Sequence, residues 1–300
     1  MTWVFLALGA HFLWAIVNLG DKYIMSKKIT NPLVYFFWFW LVGCVIGLLL
    51  APWIGFYVPS AKYLILIFIT SLAYAFGGLP YLMAMKIEEP TRINVWWNLI
   101  PIFTLIGEWF IFHQMLSVGQ LAAFAILITG AFVASIHAGE KKFAVSRAVL
   151  LMILSCAAYS VYVMIFDYVL LSVPFAVAFV WLVVFMFFCS LFSFFSKTVR
   201  TDWRASVKLL RGRALFLTVL IISVLDFSGI FLNVWALSLA HPALVFAFEG
   251  SQVLMVFLLA SLITKYAPHI IQEKLDWKNV ALKLTAIVIM ILGVIVLAFA

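Results

Sequence analysis

AIVIMILGVIVLAFA, residues 286–300, is apolar at every position. A membrane strand with one face on lipid and one on a wet lumen would alternate; this run does not, so it reads as helix. A helix also satisfies each backbone N–H and C=O within its own segment, as hydrocarbon demands. The rest of the chain is similar. Of its 300 residues, 67% are hydrophobic and 10% charged, against about 45–50% and about 25% in soluble proteins. That composition cannot cover a water-facing domain, and we read an all-α polytopic membrane protein.

Turn residues and charges divide the sequence into ten apolar stretches, near 2–24, 32–53, 62–85, 92–112, 117–137, 146–170, 174–196, 212–238, 243–264 and 279–300. Each approaches the ~20 residues that cross roughly 30 Å of hydrocarbon as a helix. Pro52, Gly55 and Pro59 mark one break, and Ser172-Val173-Pro174 alone divides the apolar run 148–196. Thr2 leads straight into apolar sequence without the basic region of a cleaved signal, so the first span is expected to be retained.

Among the 19 Lys and Arg, only Lys62 falls outside one alternate set of connections. The positive-inside rule puts the crowded side in the cytoplasm and both termini outside the cell membrane. The net charge of +8 then serves topology and anionic lipid headgroups. Membrane lipid is the expected macroscopic partner. Nucleic acid is not, because no soluble domain offers it a basic surface. Residues 197–213, KTVRTDWRASVKLLRGR, read first as a plain basic loop. The alternative is an interfacial amphipathic helix with Val199, Trp203, Val207 and Leu210 on one side. Cys44, Cys156 and Cys189 lack metal-type or paired spacing, and His11, His113, His137, His241 and His269 are scattered. We expect no metal site and no cofactor.

Two sets of five spans meet near Gly139–Phe143, which divides the chain into repeats 1–142 and 143–300 of one membrane domain. An odd number of spans per repeat turns the second one upside down. Tyr74-Ala75-Phe76-Gly77 echoes Asp226-Phe227-Ser228-Gly229, and the stretch from Ala84 to Pro90 echoes that from Ala236 to Pro242. Asp21 with Asp167, and Pro32 with Pro174, echo more faintly. Inverted repeats are a construction principle of secondary transporters, with the substrate site where the repeats meet.

The segment Tyr81-Leu-Met-Ala-Met-Lys-Ile-Glu-Glu-Pro-Thr-Arg-Ile93 carries a family resemblance. It continues through Asn98-Leu-Ile-Pro101, Gly107-Glu108-Trp109, the run Leu116–Leu121 and Gly130. In these residues and in its five-plus-five plan the chain resembles the EamA-like branch of the drug/metabolite transporter superfamily. The resemblance implies a central cavity lined by spans 1, 3, 4, 6, 8 and 9, with spans 2, 5, 7 and 10 supporting. It departs from many relatives at His113-Gln114, where they place an acidic-basic pair. Several relatives also have cytoplasmic termini, opposite to the orientation that the charges of this chain give.

Asp226, Gly229 and Asn233 share one face of span 8 at i, i+3 and i+7. A carboxylate there costs roughly 2.5–3.5 kcal/mol on insertion scales, which usually means that it faces a wet cavity. Span 9 supplies Glu249 and Gln252, with Glu249 near enough to a turn to reach outer water. Two carboxylates in one cavity repel and together attract a proton, so Asp226 and Glu249 are the proton-coupling candidates. Span 1 carries a stripe of His11, Trp14, Asn18 and Asp21; Trp14 and Asn18 are expected in the pocket and Asp21 in an interfacial pair with Lys22.

Span 4 adds Asn94, Trp97, Asn98 and Pro101, with Asn98 open between a helix contact and a ligand, and with Pro101 freeing a backbone carbonyl. Tyr74, Gly77 and Tyr81 of span 3, with Tyr159 and Tyr162 of span 6, complete an aromatic set suited to organic cations through cation–π attraction. Glu108 and Asp167 lie near the outer ends and are expected to reach water. With no P-loop there is no sign of direct ATP drive, and with no mid-span Lys or Arg a strongly anionic substrate is disfavoured. The expectation is a secondary active transporter of a small metabolite (an amino acid, amine or organic cation) working by alternating access with proton coupling. The alternatives are an intramembrane enzyme and a non-transporting membrane receptor.

Overall fold

The computed structural model describes residues 2–112, 117–134, 146–240, 245 and 248–299. Among them the regular structure is helical, without a strand. The helices are α1 Thr2–Lys27, α2 Pro32–Leu50, α3 Ala61–Ile87, α4 Pro90–Trp96, α5 Ile100–Phe112, α6 Val118–Ala134, α7 Arg147–Leu170, α8 Phe175–Leu191, α9 Lys197–Leu210, α10 Arg213–Leu237, α11 Glu249–Tyr266 and α12 Trp277–Ala298. Short 3-10 turns extend α2 (Ala51–Trp53), join α4 to α5 (Trp97–Leu99) and follow α8 (Phe192–Phe195).

Seven of these helices, α1, α2, α3, α7, α8, α10 and α12, are long and apolar enough to cross a membrane. Their outward faces carry large apolar side chains such as Phe5, Leu49, Leu150, Leu154 and Ile221. The junction at 139–143, and with it His137, His113-Gln114 and His241-Pro242, lies outside the described residues, as do the side chains of Pro101 and Glu108.

Local chemistry sets the boundaries. Asn31 caps α2 by accepting from Leu33 N, with Pro32 in the first turn where no N–H is missed. Ser146 caps α7 through Val149 N, and Asp276 caps α12 through Asn279 N. Gly55 turns the chain between α2 and α3 with φ of 63°, a backbone that suits a residue without Cβ. The turn expected at Ser172-Val173-Pro174 separates α7 from α8. The expected free carbonyl at Pro101 is not free. Proline has no N–H to offer Trp97 O, and Ile100 N takes that oxygen instead, tightening the helix to 3-10 geometry.

Residues 197–210 are a helix and not the plain loop first read from the sequence. Val199 is buried, and Trp203, Val207 and Leu210 are half-buried on the same side. Trp203 stacks on Trp38 of α2 at 6.1 Å, Trp38 Nε1 donates to Ser206 Oγ at 2.8 Å, and Asn31 Nδ2 donates to Asp202 Oδ2 at 2.6 Å. The basic residues of the segment face outward. Periodicity favours this arrangement because the stripe of Val199, Trp203, Val207 and Leu210 turns towards the bundle, with Leu209 left exposed.

Packing joins the two ends of the sequence. α3 runs along α7, α1 along α10, α2 along α8 and α6 along α12, while α5 leans on α7 and α11 on α1. The result is one interleaved bundle in which neither half of the chain is a separate body.

Candidate functional site

A buried cavity is walled by α1, α3, the Trp97–Leu99 turn with the start of α5, α7, α10 and α11. These are the elements at spans 1, 3, 4, 6, 8 and 9, the set that the family resemblance implies. About 100 Å³ is open to the centres of water molecules, room for several waters at roughly 10–15 Å³ each.

Trp14 and Asn18 of α1 line it with Asp226 and Asn233 of α10 and with Glu249 and Gln252 of α11. Tyr74 and Tyr81 of α3, Tyr159 and Tyr162 of α7, and Trp97 supply the aromatic walls. Two sequence candidates are not among the lining residues. Gly77 lies under the Tyr159 ring, where a Cβ would stand 2.5 Å from a ring carbon. Asn98 is fully buried, with Nδ2 donating to Val95 O at 3.1 Å. Gly229 plays the part of Gly77 on the opposite wall, where a Cβ would come within 2.8 Å of Trp14 Nε1. Both glycines let an aromatic ring reach the cavity from the neighbouring helix.

A chain of hydrogen bonds runs down the α1 side. His11 Nδ1 donates to Gln252 Oε1 at 2.9 Å, and Gln252 Nε2 donates to Asn94 Oδ1 at 2.8 Å. Asn18 Nδ2 donates to the same Asn94 oxygen at 2.6 Å. Tyr81 OH donates to Asn18 Oδ1 and also, at 2.9 Å, to Asp21 Oδ2; Tyr35 OH donates to Asp21 Oδ1 at 2.6 Å. Buried polar groups need such partners, and here amides and hydroxyls supply them to one another.

The Asp21–Lys22 interfacial pair expected from sequence is not formed. Asp21 is 5% exposed and lines the cavity. Lys22 Nζ instead donates to Met85 O (2.8 Å) and Glu88 O (2.7 Å) at the end of α3. Asp21 stands at i+10 of the α1 stripe that starts at His11 and runs through Trp14 and Asn18, which is the available signal. Its burial depends on Tyr35 and Tyr81 from other helices, which local sequence does not reveal. His11 and Asn94 join the wall network for the same kind of reason. Glu249 does not reach outer water as expected; it is 6% exposed, its Oε2 3.9 Å from His11 Nδ1.

Opposite this chain, the Trp14 indole faces the Asp226 carboxylate. Among the described residues, Asp226 Oδ2 and Asn233 Oδ1 have no hydrogen-bond donor. Tyr74 meets Tyr159 and Tyr162 edge-on at 4.7 and 5.1 Å, and Trp97 meets Tyr159 at 4.9 Å. The cavity therefore combines carboxylates, unmatched acceptors and ring faces, with no Lys or Arg among its lining residues.

A second polar cluster closes the bundle at its basic end. Lys283 of α12 bonds both Glu89, at 2.6 Å, and Glu273. Glu273 Oε1 accepts from Thr91 N (3.0 Å) and Thr91 Oγ1 (2.8 Å), and Arg92 Nη2 donates to Asn279 Oδ1 at 3.0 Å. Arg92 and Lys283 are each 3% exposed, so neither is a loop charge serving topology alone. Burial pushes the Glu89 carboxyl up, but the Lys283 ammonium outweighs it and holds the group below its usual range. Glu273 is pushed up, chiefly by burial. α4 connects cluster and cavity. Thr91 and Arg92 belong to the first, and Asn94 bonds the second.

Helices that can cross a membrane and enclose a polar-aromatic cavity define an integral multi-pass membrane protein. Residues 1–136 match the family model of the EamA-like transporter family, and the resemblance to that branch of the drug/metabolite transporter superfamily holds over this stretch. The match points to a membrane transporter of small solutes. No curated protein matches the chain. A solved structure described as "Crystal structure of protein" superposes with a TM-score of 0.60 at 15% identity, over 97% of this chain and 94% of that one. At that identity the likeness shows the fold alone.

Proposed function

We propose that the chain is a secondary active transporter that moves an amino acid, amine or organic cation across the cell membrane by alternating access with proton coupling. The observation that carries this reading is the composition of the cavity wall. Asp21, Asp226 and Glu249 line it with four tyrosines and two tryptophans. Acceptors without donors at Asp226 and Asn233 favour a ligand rich in N–H groups, and ring faces favour its positive charge. Asp226 and Glu249 are the proton-coupling groups of this reading, with Asp21 added beside them.

A ten-span plan of two inverted repeats, 1–142 and 143–300, with both termini outside, supplies the motion. In support, Pro90–Phe112 is helical throughout, α6 contains a shorter apolar helix, Val118–Gly130, and α11 is a helix of 18 residues. Exchanging the halves turns the α1–α10 contact into the α3–α7 contact, and α5 on α7 into α11 on α1. Gly77 under Tyr159 and Gly229 under Trp14 fit the same exchange. In this mechanism the Glu89–Lys283–Glu273 cluster is the closed gate on the basic side. Parting it shifts α4, and with α4 the Asn94 link to α1 and α11.

Flux of amines and amino acids in sealed proteoliposomes with an imposed pH gradient tests the reading. Wild-type uptake that follows the gradient, with Asp226→Asn losing its pH dependence, is the expected result. Full flux and an unchanged pH profile in Asp226→Asn would remove that residue from the mechanism. No flux of any cationic solute would remove the function.

A further inference from the structure

The chain has a second built concavity, remote from the central cavity and open on the bundle's flank. It lies between the start of α2, the end of α3 and the start of α7, and encloses about 390 Å³. Its walls are apolar, with Leu79, Met83 and Leu151 among them, and at its mouth stand Lys86, Arg147 and Asn31. Among the described residues no carboxylate lines it. Lys86 and Arg147 are exposed; Lys86 Nζ spends one of its three donors on Thr30 O at 2.9 Å. Ile87, Leu150 and Leu154 beside the groove are more than half exposed, as expected of a surface turned to hydrocarbon. From Lys86 to Leu79 the groove follows α3 for roughly 10 Å, at about 1.5 Å per residue.

We propose that this groove is a binding site for one anionic phospholipid. Lys86 and Arg147 hold the headgroup phosphate, and an acyl chain lies along Leu79, Met83 and Leu151. Two cations, with no acid among the described lining residues, favour an anionic headgroup over a zwitterionic one; the nearby Asp202 carboxylate is already held by Asn31. The apolar floor distinguishes a lipid from a free anion, which would leave that surface uncovered. Basic pockets between membrane helices recognise lipid headgroups in this way. Asn31 ties the site to the rest of the fold, since its Oδ1 caps α2 and its Nδ2 holds Asp202 of α9. A bound lipid therefore braces the contact of α2, α3 and α7, on the opposite side of α3 and α7 from substrate chemistry. The proposal does not depend on the transport reading.

Native mass spectrometry of the delipidated chain, titrated with phosphatidylglycerol and with phosphatidylcholine of the same acyl chains, tests it. Wild type should prefer phosphatidylglycerol. Lys86→Gln with Arg147→Gln should lower that preference by roughly thirtyfold, about fivefold for each cation near a lipid surface. Lys208→Gln with Lys278→Gln removes the same charge from exposed positions elsewhere on the basic side and should change the preference by less than about twofold. Met83→Trp keeps both cations but fills the groove, and should weaken retention of the lipid. An unchanged preference in the groove variant would overturn the site, and so would an equal loss in the control pair, which would mean diffuse surface charge. Glycerol phosphate competing as well as the lipid would make it a free-anion site, and dimerisation that excludes lipid would make it an interface between copies; either result overturns the proposal.

Discussion

Lys283 Nζ lies 2.6 Å from Glu89 Oε2, joining the second turn of the last helix to the junction of α3 and α4. Glu273 takes the same ammonium, and Arg92 Nε stands 3.5 Å from the same Glu89 oxygen, so two cations and two carboxylates share one cluster. Removing one partner from a buried pair leaves the others desolvated, a loss of about 3–5 kcal/mol, whereas replacing the group by apolar side chains is often near neutral. Lys283→Met should therefore melt well below wild type in a detergent thermal-shift assay. Lys283→Met with Glu273→Leu should recover part of the loss. A single variant as stable as the parent would mean that the cluster does not hold this end of the bundle together.

The same cluster gives a pH dependence with a definite sign. The folded Glu89 carboxyl is held below its ordinary 4.5 because the Lys283 ammonium outweighs burial. A lowered carboxylate stabilises the folded chain fully above its unfolded value and loses that contribution as pH falls through the folded one. The advantage of wild type over Glu89→Gln should thus be complete at pH 6–7 (roughly two units above the unfolded value) and shrink below pH 4.5. Melting curves of both proteins across that range decide it. An advantage that grew on acidification would contradict the assigned ion pair.

Gly77 and Gly229 make a matched pair of predictions. A Cβ at either would stand 2.5 or 2.8 Å from the ring of Tyr159 or Trp14, so each alanine variant must push a large ring into the cavity or pull helices apart. Overpacking of this kind costs typically about 1–3 kcal/mol. Gly77→Ala and Gly229→Ala should both lower the melting temperature, while Ser228→Ala, at an exposed position, should not. Wild-type melting in both glycine variants would show that the rings have room to give.

How far the sequence speaks for the structure depends on the range of the signal. Helical spans and their turns are legible because apolar length and turn residues act locally, as at Ser172-Val173-Pro174. The face shared by Asp226 and Asn233 is legible from helical spacing alone, and both residues do line the cavity. Asp21 is misread because its neighbour Lys22 offers an obvious partner in the sequence, while its actual partners arrive from α2 and α3. Arg92 and Lys283 are misread as topology charges because the contacts that bury them, Arg92 with Asn279 and Lys283 with Glu89, join opposite ends of the chain, while the nearer carboxylates Glu89 and Glu273 look in the sequence like loop charges themselves. Residues 197–210 fail differently. Their apolar period was visible, but the basic residues outweighed it, and the helix rests on partners remote in sequence, Phe37 and Trp38 of α2 and its cap Asn31, besides the nearby Phe194.

The wall network from His11, beside Glu249, to Asp21 passes through the amides of Gln252, Asn94 and Asn18 and then the Tyr81 hydroxyl. An amide holds its hydrogens and its oxygen in fixed places, unlike a hydroxyl, which can take a proton on one side and release one on the other. On the proposed reading, those amides would not pass a proton along that wall. A proton exchanged between the Glu249 end and Asp21 would then move through the chamber itself, by water or by the tyrosine hydroxyls that line it, and would contend with a cargo for that space.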